Sequence, residues 1–106
     1  MRILFDQGTP APLRHAFADH DVSTAYELGW ANLTNGDLLA EAETQFEVLI
    51  TTDQNLRYQQ NLTGRRVSIL VLPTTSWPIL RPHAAEIAAA AIGMSPGEYL
   101  EHMLRA

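Results

Sequence analysis

The sequence predicts a three-layer α/β/α fold whose central sheet is mostly parallel and has four to five strands. Short apolar runs without polar alternation recur along the chain, and helix-like segments separate them. A continuous apolar run is typical of a strand buried on both faces, as in a parallel sheet covered by helices. Strands alternating with helices indicate βαβ units. A chain of 106 residues is long enough for one such domain, over residues 1–106.

Four segments are the predicted strands. Residues 3–5 and 48–50 are short apolar runs, and residues 67–72 form the longest run, which ends at Pro73. Residues 21–25 are rich in β-branched side chains and form a weaker candidate. Each of these segments is short enough for a strand and too short for an ordinary helix.

Three helices are predicted between these strands, over residues 10–18, 35–45 and 78–91. Their apolar side chains recur with the 3.6-residue period, and either Thr34 or Asn35 caps the second helix. Ser95 and Glu98 have the spacing of a capping box, which predicts a further helix over residues 99–104. A short terminal strand after Gly97 is the alternative.

The composition limits the classes of function. The chain has no cysteine, which excludes disulfides and zinc-thiolate sites. Its net charge is -5, and all seven basic side chains are arginines, so broad electrostatic attraction to nucleic acid is not expected. The sequence shows neither an apolar leader nor a run of about 20 apolar residues, and we expect a cytoplasmic protein.

Three aspartates lie at the ends of these segments. Asp6 and Asp53 follow two predicted strands, at the edge where open parallel sheets bind ligands, and Asp37 lies near the start of a helix. Carboxylates that converge there could hold Mg²⁺ or Mn²⁺. Each aspartate also has a structural interpretation: Asp6 as a turn residue, Asp37 as a first-turn acid and Asp53 as a helix cap.

Three motifs resemble those of PIN-like domains. Residues 2–7, Arg-Ile-Leu-Phe-Asp-Gln, resemble the opening strand and acid of that family. Residues 35–40, Asn-Gly-Asp-Leu-Leu-Ala, resemble its acid before an Ala/Leu helix, and residues 48–56 resemble its Leu-Val-Thr-x-Asp-x-Asp-Phe segment. The resemblance covers about residues 1–72 in order and is to the short, stand-alone bacterial proteins related to VapC-type toxin ribonucleases.

The resemblance implies a PIN-like fold, a metal site and an activity. Asp6, Asp37 and Asp53 would be the catalytic residues, binding Mg²⁺ or Mn²⁺, and the reaction would be hydrolysis of RNA phosphodiester bonds by an activated water. Toxin ribonucleases of this type pair with a small antitoxin protein, so the resemblance also implies a cognate antitoxin as partner.

Two positions depart from the family pattern. Gln7 and Asn55 stand where acids are common, and each keeps an oxygen ligand but removes a charge. Thr51 could orient a carboxylate or a water. The alternative to the nuclease is therefore a catalytically weakened binding module that docks a protein partner, or a second copy of the chain, through Trp30, Trp77 or the predicted carboxyl-terminal helix. A receiver-like domain is disfavoured because the chain has no lysine.

A basic and aromatic set follows Asp53. Arginine can donate two parallel hydrogen bonds to phosphate, and tyrosine can stack on a base. We expect this set to contact nucleic acid, with a solvated loop as the alternative; its members are Arg57, Tyr58, Arg65 and Arg66.

Overall fold

The computed structural model describes residues 1–56 and 62–104, and its centre is a parallel five-stranded sheet. The strand order is β2-β1-β3-β4-β5, and every neighbouring pair is parallel. The predicted α/β class is therefore confirmed, with five strands within the described residues. They are β1 (Arg2–Phe5), β2 (Asp21–Thr24), β3 (Val48–Thr51), β4 (Ser68–Val71) and β5 (Tyr99–Glu101).

The helices also follow the predicted pattern, with two changes in type. The segment after β1 is a 3₁₀-helix, and the helix after β4 is divided by a 3₁₀ turn at Pro82, which lacks the backbone N–H that a continuous helix needs. The structure has a 3₁₀-helix (Ala11–Phe17), α1 (Asn35–Gln45), α2 (Trp77–Leu80), a second 3₁₀-helix (Arg81–His83) and α3 (Ala84–Ile92).

The prediction of a helix over residues 99–104 is wrong, and the alternative, a terminal strand, is present as β5. Part of the capping box does form, because Ser95 N donates to Glu98 Oε1 at 2.9 Å. Gly97 then turns the chain with a positive φ of 78°, and its N–H donates to Arg66 O at 2.8 Å. Pairing with β4 therefore overrides the local helix signal.

Both faces of the sheet are covered. Along β1, Ile3 and Phe5 point into one core, where the first 3₁₀-helix, α2 and α3 pack. Leu4 points into the other core, where α1 packs through Leu39 and Ala42. β1, β3 and β4 are buried on both faces because they carry apolar side chains at successive positions, whereas the edge strands β2 and β5 are partly exposed. These three layers leave the polar groups at the two edges where the strands begin and end.

The two tryptophans contribute to packing. Trp30 lies edge-on to Phe46, with ring centroids 6.1 Å apart. Trp77 is partly buried against the opposite core. Each side chain is half-buried, so neither presents its whole ring as a docking surface.

None of the helices in the described ranges combines the length and the apolar character that crossing a bilayer requires.

Candidate functional site

The strand order places the first and third aspartates beside each other. β1 and β3 are neighbours, although β2 lies between them in the sequence, so the strand order reverses direction at this pair. In open parallel sheets, ligands bind outside the carboxyl ends of the strands at such a switch point. Asp6 directly follows β1 and Asp53 follows β3 by two residues.

Asp6 is held in place by two threonines. Its Oδ1 accepts a hydrogen bond from Thr9 N at 3.1 Å, and Thr9 Oγ1 lies 2.8 Å from the same oxygen. Its Oδ2 accepts a hydrogen bond from the Thr51 hydroxyl. The contact with Thr9 N is the local turn expected for Asp6, whereas the contact with Thr51 joins two strand ends and is not a turn interaction.

Asp53 is held from two sides as well. Asn35 Nδ2, on the first residue of α1, donates to Asp53 Oδ2 at 2.7 Å. Asn55 N donates to Asp53 Oδ1 at 2.9 Å, which is the contact expected of a helix cap. Asp53 therefore connects the end of β3 to the start of α1, in addition to its local role.

Thr51 links the two aspartates. Its hydroxyl donates to the Asp6 carboxylate and accepts a hydrogen bond from Asp53 N at 3.1 Å. Thr51 is 2% exposed and Thr9 is 6% exposed, so both hydroxyls belong to the interior. Because a buried hydroxyl must be satisfied by hydrogen bonds, this arrangement fixes the position of Asp6. The hydrogen bond to Asp6 is the contact that the predicted role of Thr51, orientation of a carboxylate, requires.

A recess of about 120 Å³ opens over this part of the sheet. Asp6 and Asn35 line it, and Asp53 is one hydrogen bond behind Asn35. We call it the switch-point recess; the other lining residues are Gln7, Gly8, Ala25, Trp30, Ala31, Leu33 and Leu38. One side of the recess is therefore polar and the other mostly apolar.

Asp37 lies apart from the other two aspartates. It is exposed in the first turn of α1, where its backbone N–H donates to Thr34 Oγ1 at 3.2 Å, so Thr34 is the N-cap. Asp37 does not line the recess. Within residues 1–56 and 62–104, no group of three or more His, Cys, Asp or Glu side chains is arranged to hold a metal ion.

The remaining residues still fit a divalent cation that keeps much of its water. Mg²⁺ commonly binds through only one or two carboxylates and retains several waters. Asp6 supplies a carboxylate to the recess and Asn35 an amide, and the second carboxylate, that of Asp53, is hydrogen-bonded to this amide. This donor set has only oxygen and amide groups, which suits Mg²⁺ or Mn²⁺ better than a soft metal.

The predicted supporting residues differ in position. Gln7 is exposed and lines the recess, whereas the Asn55 side chain is exposed and its backbone contacts Asp53. Arg57 and Tyr58 lie outside the described residues. Arg65 and Arg66 precede β4, at the amino edge of the sheet and across the strands from the recess. Their position does not bring them to the aspartates.

Three contributions to the site carry little signal in the sequence. No role is predicted for Thr9 or Gly8, and Asn35 is predicted only as a cap. Gly8 lies so close to the loop after β3 that a Cβ there would collide with Thr52 Oγ1. Asn35 lies in the same Asn-Gly-Asp motif as Asp37, and the motif does not show which of the two side chains faces the recess.

Fold and site together define a small parallel α/β protein with a recess at its switch point, which Asp6 lines and behind which Asp53 is hydrogen-bonded to Asn35. Comparison with family models, with curated proteins and with solved structures finds no match to the chain.

Proposed function

We propose that this protein is a metal-dependent endoribonuclease of the PIN-like type that hydrolyses RNA phosphodiester bonds. One observation carries the proposal: Asp6 and Asp53 lie at the ends of adjacent strands and are tied to one buried hydroxyl, that of Thr51. The PIN-like sequence motifs agree with this position. The cofactor is Mg²⁺ or Mn²⁺.

The residues of the recess have separate tasks in this proposal. An ion bound there supplies activation of a water and neutralisation of charge on the phosphate. Asp6 and Asp53 bind this ion, and Asn35 holds Asp53 in position through its amide. Thr9 and Thr51 fix the Asp6 carboxylate, so that it does not need to reorganise when substrate arrives. Gln7, on the rim, faces the RNA.

The proposed biological context is that of the toxin in a toxin–antitoxin pair. The chain carries a net charge of -5, so a basic antitoxin has the complementary charge.

A second candidate function is a PIN-like binding module that no longer catalyses RNA hydrolysis. Its support is the low number of carboxylates at the recess: Gln7 and Asn55 replace acids of the family pattern, and Asp37 does not line the recess. Loss of negative charge weakens the affinity of a site for divalent cations. This candidate predicts partner binding without metal binding.

Cleavage of a labelled single-stranded RNA in the presence of Mn²⁺ tests the nuclease. We expect Asp6→Asn and Asp53→Asn to lower kcat/KM by about 100-fold or more, because a positioned charged group at an active site is worth about 10²–10³-fold. We expect Asp37→Asn to retain activity within about tenfold, since Asp37 is exposed and, among the contacts described, shares no hydrogen bond with the residues that hold Asp6 and Asp53. Asp19→Asn, which changes an exposed aspartate outside the site, is the matched control.

Calorimetry with Mn²⁺ on the same proteins separates the two candidates. Wild-type binding of Mn²⁺ that Asp6→Asn weakens supports the nuclease. No RNA cleavage and no Mn²⁺ binding by the wild type would exclude it and leave the binding module.

A further inference from the structure

We infer that a second cavity, beside Tyr26, binds an unpaired base of the RNA substrate next to the scissile phosphate. This inference rests on the proposed function, whose substrate class it specifies as single-stranded RNA. It names a second binding site on the same sheet edge and assigns a role to the exposed Tyr26.

The position of this cavity is the first argument. It has a volume of about 580 Å³ and lies between the loop after β1 and the loop after β2. Asp6, Gln7 and Gly8 line both this cavity and the switch-point recess. A nucleotide chain crossing Gln7 would therefore have its phosphate near Asp6 and the adjoining base in the cavity.

The exposure of Tyr26 is the second argument. Its side chain lines the cavity and is 80% exposed, the highest value among the large apolar side chains that the structure describes as exposed. An aromatic face in water is available for stacking, and every base has a face that can stack on it. The other wall of the cavity is formed in part by Pro10 and Ala11.

The turn that carries Tyr26 is rigid, which is the third argument. Thr24 N donates to Glu27 Oε1 at 3.0 Å, and Glu27 N donates back to Thr24 Oγ1 at 3.1 Å. Gly29, whose φ is +76°, then turns the chain, and Trp30 N donates a hydrogen bond to Ala25 O at 2.8 Å. Because the backbone that carries Tyr26 is already ordered, less conformational entropy is lost when a ligand binds.

The charges around the cavity favour stacking over phosphate binding. Arg14 makes two hydrogen bonds to Glu27, at 3.1 and 2.8 Å, and a third to Val22 O at 2.9 Å. The hydrogen bonds from Arg14, together with that from Thr24 N, lower the pKa of Glu27 to about 2. Glu27 is therefore ionised at neutral pH and neutralises Arg14, so the residues described as lining the cavity offer no free cation to a phosphate.

These features select one class of ligand. In a double helix the bases are stacked and paired, so they cannot enter a cavity beside an aromatic ring. In a single strand an unstacked base can enter it. Because stacking and not phosphate neutralisation provides the affinity, binding should depend only weakly on salt.

Fluorescence anisotropy with a labelled ten-nucleotide RNA of mixed sequence, in EDTA, tests the inference on the intact chain. We expect Tyr26→Ala to raise Kd about 5- to 100-fold, since stacking of one base on an aromatic ring is worth about that factor. Tyr26→Phe keeps the ring and should bind within about twofold of the wild type. Met103→Ala removes a side chain that is 78% exposed outside the cavity and is the matched control.

Two further measurements complete the test. The same RNA in a duplex should bind at least about tenfold more weakly than the single strand. In cleavage assays with Mn²⁺, Tyr26→Ala should raise KM and leave kcat within about threefold, because Tyr26 contacts the base and not the reacting phosphate.

The outcomes separate this inference from the proposed function. If the wild type cleaves RNA and Tyr26→Ala matches Met103→Ala in Kd and KM, the base site is excluded and the nuclease stands. If the wild type binds single-stranded RNA through Tyr26 but does not cleave it, the nuclease is excluded and the base site stands. If the wild type neither binds nor cleaves the RNA, both are excluded.

Discussion

The two edges of the sheet use their acids differently. At the amino edge, Glu43 accepts hydrogen bonds from Arg66 N at 2.7 Å and Val67 N at 2.9 Å, and Glu47 accepts one from Arg2 N at 3.3 Å. At the carboxyl edge, Asp6 and Asp53 are held chiefly by side chains. Acids at the amino edge thus satisfy backbone groups that lead into strands, whereas acids at the carboxyl edge are positioned beside a recess.

This difference gives a criterion for the acids of the proposed site. Every one of these carboxylates accepts hydrogen bonds, so a full set of partners does not distinguish a ligand from a cap. The origin of the donors does: a hydroxyl or amide side chain that reaches the carboxylate from a separate element orients it. Asp6 and Asp53 meet this criterion through Thr51 and Asn35.

Among the changes that test this comparison, Thr51→Val should have the largest effect, because it keeps the shape of the side chain and removes the hydroxyl that joins Asp6 to the backbone of Asp53. We expect RNA cleavage to fall about 10- to 100-fold, as when a residue that orients a metal ligand is lost. The free energy of unfolding should fall by about 1–2 kcal/mol because Asp6 and Asp53 N each lose a partner. Activity assays and urea unfolding measure the two effects.

Thr44→Val is the matched control, because Thr44 is exposed on α1 and its hydroxyl bonds only to Glu41 O among the contacts described. Undiminished cleavage by Thr51→Val would show that orientation of Asp6 is unimportant, and the distinction between the two edges would then have no functional meaning.

A smaller effect, on stability alone, is expected from Glu43→Gln at the amino edge. The Gln amide can replace only one of the two acceptor oxygens, so we expect the free energy of unfolding to fall by about 1 kcal/mol. Cleavage per folded molecule should not change. A loss of activity comparable to that of Thr51→Val, at equal stability, would contradict the comparison.

The pH dependence of this effect has a definite sign. Burial raises the pKa of Glu43, but the hydrogen bonds from Val67 and Arg66, with the charges of Arg65 and Arg66, outweigh it and hold the pKa below its ordinary value of 4.5. A depressed carboxyl pKa stabilises the fold above the unfolded value and loses this contribution as the pH falls through the folded value. The wild type and Glu43→Gln should therefore converge in stability below pH 4.5.

The smallest effect is expected from Glu86→Gln, which tests whether position at the carboxyl edge is sufficient for function. His102 follows β5, and its Nε2 lies 2.8 Å from Oε2 of Glu86 on α3. The hydrogen bond from His102 is the main cause that lowers the pKa of Glu86. Because β5 is separated from β3 by β4, we expect cleavage within about twofold of the wild type. A larger loss of cleavage would show that the site extends along the carboxyl edge as far as β5.

Much of the fold could be predicted from the sequence because its signals are local. Buried strands such as β3 show as apolar runs, and Thr34 marks the start of α1. β5 could not be predicted with certainty, because the Ser95–Glu98 contact forms in the structure and yet precedes a strand. Its pairing with β4 is a tertiary interaction without a local signature.

The site was predictable only in part, for a related reason. Asp6 and Asp53 follow strands, and their position at one edge follows from the parallel sheet. The choice between Asn35 and Asp37 depends on which side of the first helical turn faces the sheet, and a cap motif leaves that open. The pairing of β1 with β3, which brings Thr51 to Asp6, depends on the strand order.

That strand order also determines when a working site can exist. The hydrogen bond between Thr51 and Asp6 joins residues 45 positions apart, and β3 pairs with the side of β1 that β2 leaves open. Contacts of such long sequence separation form late, since the intervening loop must close first. A chain that has emerged from the ribosome only through α1 therefore carries Asp6 with Thr9 but without Thr51, which reaches Asp6 only when β3 docks.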